Sequence, residues 1–189
     1  MKKNRFVAIL LASSISTPLL FSADALEKFR QGVDKFKGGD YAASQKELSE
    51  FIKEHPYEVE VKKSWYYLAR IAAAQKKYKD AIERINITLS RYPRHEDRVE
   101  LNVLLGECLY EVNAHAHAEK VLQSVRTSAK DEALLYRLEK KLGFIAYAAR
   151  RDAKTVEHLK AALRLAEKNA PHDSELFNVY ATLGKVTAK

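Results

Sequence analysis

The sequence has little that breaks a helix and almost nothing that staples a fold. Six glycines and four prolines are spread over 189 residues, too few for a strand-rich framework of tight turns or for long irregular segments. Its many Ala, Leu, Lys and Glu residues are those most easily placed in a helix. There is one cysteine, Cys108. It cannot close an internal disulfide, so packing alone must hold the chain together. In an apolar helical stretch it reads as a small buried hydrophobe. Strand signals are missing, and with them the Gly-rich loop after a strand that cradles phosphate.

Enzyme chemistry is also missing. His115 and His117 are two residues apart and fall on different sides of a helix, whereas ligation from one face needs a spacing of three or four. His55, His95 and His172 fall at positions expected to be solvated. No Ser or Cys has a readable base. Glu107 and Glu111 are one helical turn apart and could share a cation, but they read as a solvated face. Asn86-Ile87-Thr88 matches a glycosylation acceptor yet lies inside a predicted helix. The sequence therefore assigns no catalytic residue, no metal site and no cofactor.

The first 25 residues read as an export signal. Lys2, Lys3 and Arg5 form a basic start, Phe6 to Ala12 are apolar, and Leu19 to Phe21 extend the run. Ala23 and Ala25 put small residues at the −3 and −1 positions, which predicts cleavage after Ala25. Pro18, Ser13, Ser14 and Ser16 interrupt the run, leaving it short of the roughly 20 apolar residues of an uncleaved anchor. No cysteine adjoins the predicted cleavage site, which argues against a lipid there. The short basic start and the lack of a second targeting signal predict a bacterial periplasm. Loss of Lys2, Lys3, Arg5 and Asp24 lowers the net charge from +8 to +6. That surface reads as solubility, and export argues against nucleic acid as a partner.

What is present is a repeat with a period of 37. Gly32, Ala69, Gly106 and Gly143 form one column. Ser44, Ala81, Ala118 and Thr155 form another, followed by Leu48, Ile85, Leu122 and Leu159, and by Gln31, Leu68, Leu105 and Leu142. Small residues on two helices let their backbones approach, and the Leu/Ile column fills the space between them. Within each period the apolar spacing predicts a helical hairpin, with Pro56 and Pro93 as stops. Nine helices are predicted, at about 26–37, 41–54, 58–75, 78–91, 96–112, 115–127, 131–149, 152–168 and 173–186. The last is unpaired and reads as a cap whose outer face tolerates water.

These columns resemble the tetratricopeptide repeat (TPR), most closely in Trp65, Leu68-Ala69, Tyr78, Ala81 and Pro93. The resemblance implies an all-α solenoid, a right-handed superhelix of about four hairpins and a capping helix. Its repeats span about 25–58, 59–95, 96–132 and 133–171, with the cap at about 173–187. The extra residues relative to the usual period of about 34 are expected to lengthen the start of each first helix. The stretch from Phe36 through Tyr41 and Phe51 to Pro56, after an export signal, is similar to bacterial envelope members of the family. Two such members are the β-barrel-assembly lipoprotein and the Tol–Pal coordinator. The chain departs from the first in lacking a lipid-bearing Cys and from the second in lacking a coiled coil.

The resemblance further implies that the first helix of each hairpin lines a concave groove. Carried over by column, the groove residues are Phe29, Val33 and Phe36, then Lys63, Tyr66 and Arg70, then Val103, Glu107 and Tyr110, and finally Arg137, Lys140, Phe144 and Tyr147. Aromatic and Arg side chains anchor a bound chain with large area or planar donors. The expected function is a non-catalytic periplasmic adaptor within an envelope assembly or secretion complex, holding a partner's peptide or helix. The alternative is a constitutive subunit packing through its ends and convex face. In the first unit, α-helical packing either rotates to bury Leu26, Phe29, Val33 and Phe36 or leaves them as an exposed apolar patch. Phe29 and Val33 stand where carboxylate-clamping members carry Lys and Asn, which disfavours capture of a chaperone's C-terminus. The columns carry no information on oligomeric state.

Overall fold

A computed structural model describes residues 17–169 and 173–188, with side chains described for 23–167 and 173–188. Most of the predicted export signal and His172 lie outside the described residues. Among those described there are nine α-helices and no strand. They are α1 Thr17–Lys37, α2 Tyr41–Glu54, α3 Val61–Ala74, α4 Tyr78–Arg91, α5 Arg98–Glu111, α6 His115–Val125, α7 Glu132–Ala148, α8 Asp152–Asn169 and α9 Leu176–Thr187. Helices pair as α1–α2, α3–α4, α5–α6 and α7–α8, and each hairpin stacks on the next. The first helices α1, α3, α5 and α7 also touch in succession. They therefore lie side by side and form one continuous wall. The architecture is an all-α TPR-type solenoid. No helix among the described residues is long and apolar enough to cross a membrane.

The small columns set the distance within each hairpin. A Cβ added to Gly32 would lie 2.7 Å from Leu48 Cδ2, one on Gly106 2.4 Å from Leu122 Cγ, and one on Gly143 2.2 Å from Leu159 Cδ2. Ser44, Ala81, Ala118 and Thr155 are all fully buried, as are Leu48, Ile85, Leu122 and Leu159. The hydroxyl of Ser44 donates to the Gly32 carbonyl at 2.7 Å and that of Thr155 to the Arg151 carbonyl at 3.1 Å, so both polar members of the column are satisfied where they are buried. Leu68, Leu105 and Leu142 are buried, while Gln31 in the same column is exposed.

Each first helix ends in the same turn. Gly39, Lys76, Asn113 and Arg150 have φ of 80°, 59°, 61° and 55°, one per 37-residue period. Around them the amide of the next residue donates back to a carbonyl five residues earlier. The bonds are Asp40 to Lys35, Lys77 to Ala72, Ala114 to Leu109 and Arg151 to Ala146, each at 2.9 Å. This Schellman closure satisfies the last carbonyls of the helix and reverses the chain in two or three residues. Asp40 then accepts from the Ala43 amide at 3.0 Å and caps α2.

Three sequence expectations need correction. Helix α1 begins at Thr17 rather than near residue 26 and continues through the predicted cleavage site. Ala25 is buried in a cluster with Phe51 and Val61, so it has a packing role within the fold. The extra residues of the period do not lengthen the first helices. They form turns instead, with Glu58 and Val61 amides donating to His55 and Glu58 carbonyls at 3.2 Å, and α3 starts only at Val61. Nor is α1 rotated, because Gly32 meets Leu48 just as Gly106 meets Leu122. Phe29 and Phe36 are covered all the same, by the ring of Tyr67 at 6.4 and 5.2 Å.

Candidate concave interface

The wall of first helices lines a half-open cavity of 360 Å³. Phe36 and Tyr41 come from the first hairpin, Arg70 and Tyr78 from the second, Glu100, Glu107 and Glu111 from α5, and Arg137 and Lys141 from α7. Residues on these helices share a face because they recur at three- and four-residue spacings. The lining therefore alternates in charge from helix to helix, cationic on α3, anionic on α5 and cationic on α7.

These charges pair across neighbouring helices. Arg137 Nε–H and Nη2–H donate to the two oxygens of Glu107 at 2.9 and 2.5 Å, a bidentate fork. Lys141 reaches Glu111 at 2.9 Å. Glu100 sits between Arg70, 3.8 Å away, and Arg137, 3.9 Å away. Burial opposes the charge on Arg137 and on Lys141. Glu107 and Glu111 more than offset it, and both cations titrate above their ordinary values. Glu107 and Glu111 are thus the middle rung of an interhelical ladder rather than a solvated face. Cys108 lies at the base of the cavity. Burial pushes its thiol up to about 12, which leaves it protonated and poorly nucleophilic at neutral pH.

The sequence-assigned groove residues divide by column. Phe36, Arg70, Glu107 and Arg137 converge on the cavity. The column one turn before Arg70 and Glu107 packs between first helices instead. Phe29 contacts Phe51 and Tyr67, Tyr66 is only 4% exposed and Val103 is fully buried. Val33 is buried beside Leu68 and Ile71. Tyr66 accepts from Arg70 at 2.8 Å, and burial raises its hydroxyl well above the ordinary tyrosine value. Lys140, in that same column, is buried and held by Asp173 at 2.5 Å and Glu175 at 2.6 Å. Tyr110 lies under Lys141, 4.7 Å from its ring centre, and stacks on His115 at 5.1 Å. Phe144 joins the cluster of Leu159, Val179 and Leu183. Tyr147, 37% exposed, is the outermost aromatic of the Phe36 column.

Several lining residues were missed. Tyr41 and Tyr78 were legible only as repeat signatures, although their position at the hairpin turn brings them to the rim. Glu100 shares a column with Lys63 and Arg137, and that equivalence was the available signal. Lys141 shares its column with Leu104, which also lines the cavity.

A second polar cluster lies in the connector before α5. His95 is buried, against its expected solvation. The Asp97 amide donates to its Nδ1 at 3.0 Å, so the ring proton sits on Nε2, which donates to the Lys62 carbonyl at 3.1 Å. His95, Glu96 and Asp97 bring ligand atoms within 4.8 Å of one another. Both ring nitrogens are nonetheless engaged, and Lys62 and Lys63 take the carboxylates. The hydrogen bond from Lys62 pushes Glu96 down to about 2. The cluster locks the connector to α3 and is not arranged as a cation site.

Comparison with known proteins gives both a family and a fold. Residues 22–138 match the family profile YfiO, described as an outer membrane lipoprotein. The apo form of RapI superposes with a TM-score of 0.70 at 16% identity, over 87% of this chain and 63% of RapI. The chain thus spans less than two thirds of that protein. MamA from Desulfovibrio magneticus RS-1 gives 0.66 at 19% identity, over 87% of this chain and 84% of MamA. A thermophilic TPR protein of Thermus thermophilus gives 0.59 at 19%, over 87% and 81% of the two chains. At these identities the likeness is one of fold. No curated protein matches the chain.

Proposed function

The chain belongs to the YfiO outer membrane lipoprotein family, and from that membership we propose that it is a non-catalytic adaptor of a bacterial envelope assembly or secretion complex. In this reading it is exported to the periplasm and holds a partner's peptide or helix in the concave groove. The family's lipid is not carried by a cysteine near the start of this sequence, since Cys108 is the only one and is buried in α5.

The cavity between α3, α5 and α7 carries the proposal. Its three cations and three carboxylates are already paired, so it has no net charge to neutralise and favours neither a strongly acidic nor a strongly basic ligand. Phe36, Tyr41 and Tyr78 supply apolar area beside these paired charges, a mixed lining that suits a peptide or helix. The test is affinity purification from the envelope fraction with the wild-type chain, Arg70→Glu and Tyr147→Ala, each shown to be folded by circular dichroism. A partner that co-purifies with the wild type and is lost from both variants supports the groove. The same partner recovered undiminished from both contradicts it. A constitutive subunit packing through its ends is the second reading, and it draws on the bare outer face of α9, where Phe177 and Tyr180 stand exposed.

A further inference from the structure

Helix α9 is built like a first helix without its second. It follows α7 with a shift of 41 residues, so that Val179, Leu183 and Val186 take the places of Leu138, Leu142 and Ile145. All three are buried, Val179 and Leu183 in a cluster with Leu159 of α8. The stripe of α7 that receives α8 consists of Tyr136, Glu139 and Gly143. Tyr136 packs with Ala162 and Ala166, Glu139 accepts from His158 Nδ1–H at 2.7 Å, and Gly143 meets Leu159.

The same stripe of α9 is Phe177, Tyr180 and Gly184, at helical spacings of three and four that place them on one face. Phe177 is 78% and Tyr180 61% exposed. A Cβ built on Gly184 would meet nothing within 4 Å. Gly32, Gly106 and Gly143 each have a leucine side chain in that space, and at Gly184 the space is open. Nothing among the described residues covers the stripe, so the expectation of a water-tolerant cap is not met on this face. Exposed aromatics beside an unfilled hollow mark a contact surface.

We propose that this stripe docks one helix of a partner protein, laid across α9 as α8 lies across α7. The chain's own second helices define the chemistry of that helix. Each carries a small residue followed four places later by Leu or Ile, as in Ser44 and Leu48, Ala81 and Ile85, Ala118 and Leu122, and Thr155 and Leu159. Laid as α8 lies on α7, the docked helix therefore drops Leu or Ile onto Gly184 and sets its small residue beyond Gly184, toward the C-terminal end of α9. It meets the aromatic end with residues that follow the Leu or Ile, as Ala162 and Ala166 meet Tyr136. Lys185 is the exposed charged side chain of α9, so the helix has a neutral or acidic rim. A second copy of the chain is a poor occupant. Its second helices are already seated in their own hairpins, and the α9 stripe itself offers two aromatics but no aliphatic side chain for the hollow. The site is at the end of the stack and does not depend on the concave groove.

The test uses the intact chain and a helix-stapled, fluorescein-labelled peptide of residues 152–167, the chain's own second helix of the fourth hairpin, followed by anisotropy. Sedimentation reports the oligomeric state in the same samples. Gly184→Leu fills the hollow from within. Because the space around its Cβ is open, a thermal melt should show the variant folded. Saturable binding by a monomeric chain, weakened at least about tenfold by Gly184→Leu or by Leu159→Ala in the peptide, supports the site. Arg70→Glu should leave that binding unchanged, which separates it from the groove. No binding, or binding indifferent to both the protein and the peptide change, overturns the proposal. A dimer abolished by Gly184→Leu also overturns it and assigns the face to a second copy.

Discussion

Gly143→Ala probes the contact within a hairpin most sharply, because helix propensity and packing give it opposite signs. Alanine is better than glycine by about 1 kcal/mol in a helix interior. The added Cβ, however, would lie 2.2 Å from Leu159 Cδ2, 2.6 Å from Cγ and 3.3 Å from the Leu159 backbone nitrogen. Leu159 is fully buried and cannot swing into open space, and the backbone nitrogen blocks the other direction. Overpacking of this kind costs about 1–3 kcal/mol. Near the top of that range it leaves a net loss of about 1–2 kcal/mol after the propensity gain, or a fall in Tm of roughly 2–8 °C for a chain of this size. Gly184→Ala meets no neighbour and should gain about 1 kcal/mol. The decisive control is a double-mutant cycle by urea denaturation. With Leu159→Ala in place the clash is gone, and Gly143→Ala should become neutral or stabilising, a coupling of about 1–3 kcal/mol. If Gly143→Ala stabilises the wild-type background as much as Gly184→Ala does, the account of the small column is wrong.

Other consequences follow from the same packing. Leu105→Ala and Leu142→Ala should each cost about 2–5 kcal/mol in chemical denaturation, and a cost under about 0.5 kcal/mol would contradict the repeat register. Arg150→Gly relieves a left-handed residue and should stabilise by about 0.5–1 kcal/mol, whereas Gly39→Ala should destabilise by a similar amount. Thermal melts in which Arg150→Gly destabilises and Gly39→Ala stabilises would refute the turn geometry. Glu139 is held below its ordinary value of 4.5. Burial pushes it up, but hydrogen bonds from His158 and Arg126 more than compensate. A carboxyl depressed in the folded state contributes stability above its unfolded value and loses it as pH falls through the folded one. Wild type should therefore exceed Glu139→Gln in stability near neutrality, with the gap closing below about pH 4.5. A gap that widens on acidification would reverse the sign.

Columns of equivalent residues made most of the fold legible. The spacing of Gly106 from Leu122 and of Gly143 from Leu159 located both partners of each hairpin, and the predicted starts of the second helices at 41, 78, 115 and 152 match the structure. Three features escaped. Lys76 and Arg150 adopt left-handed conformations with no glycine to announce them, because the Schellman bonds hold the turn. The residues after Pro56 read as helix but form turns that recur in the connector at His95. The packing of Ala25 against Phe51 was not legible, because the small size that lets it pack there also suits a cleavage site. The site was half legible. A column specifies which helical positions are equivalent, but not whether a position faces the groove or the neighbouring helix. Tyr66 and Val103 therefore fell inside the wall while Arg70 and Glu107 reached the cavity. Lys140 is buried for a reason outside its column, since Asp173 and Glu175 reach it from the connector before α9.

The groove itself is tested most directly by a photo-crosslinking residue placed at Arg70 and, separately, at Tyr147, with the crosslinked peptide mapped by mass spectrometry in cells. A groove that holds a partner should yield, from both positions, the same partner and adjacent segments of it. Capture at Tyr180 with nothing captured at Arg70 or Tyr147 would contradict the concave interface and leave only the end of the stack as a place of contact.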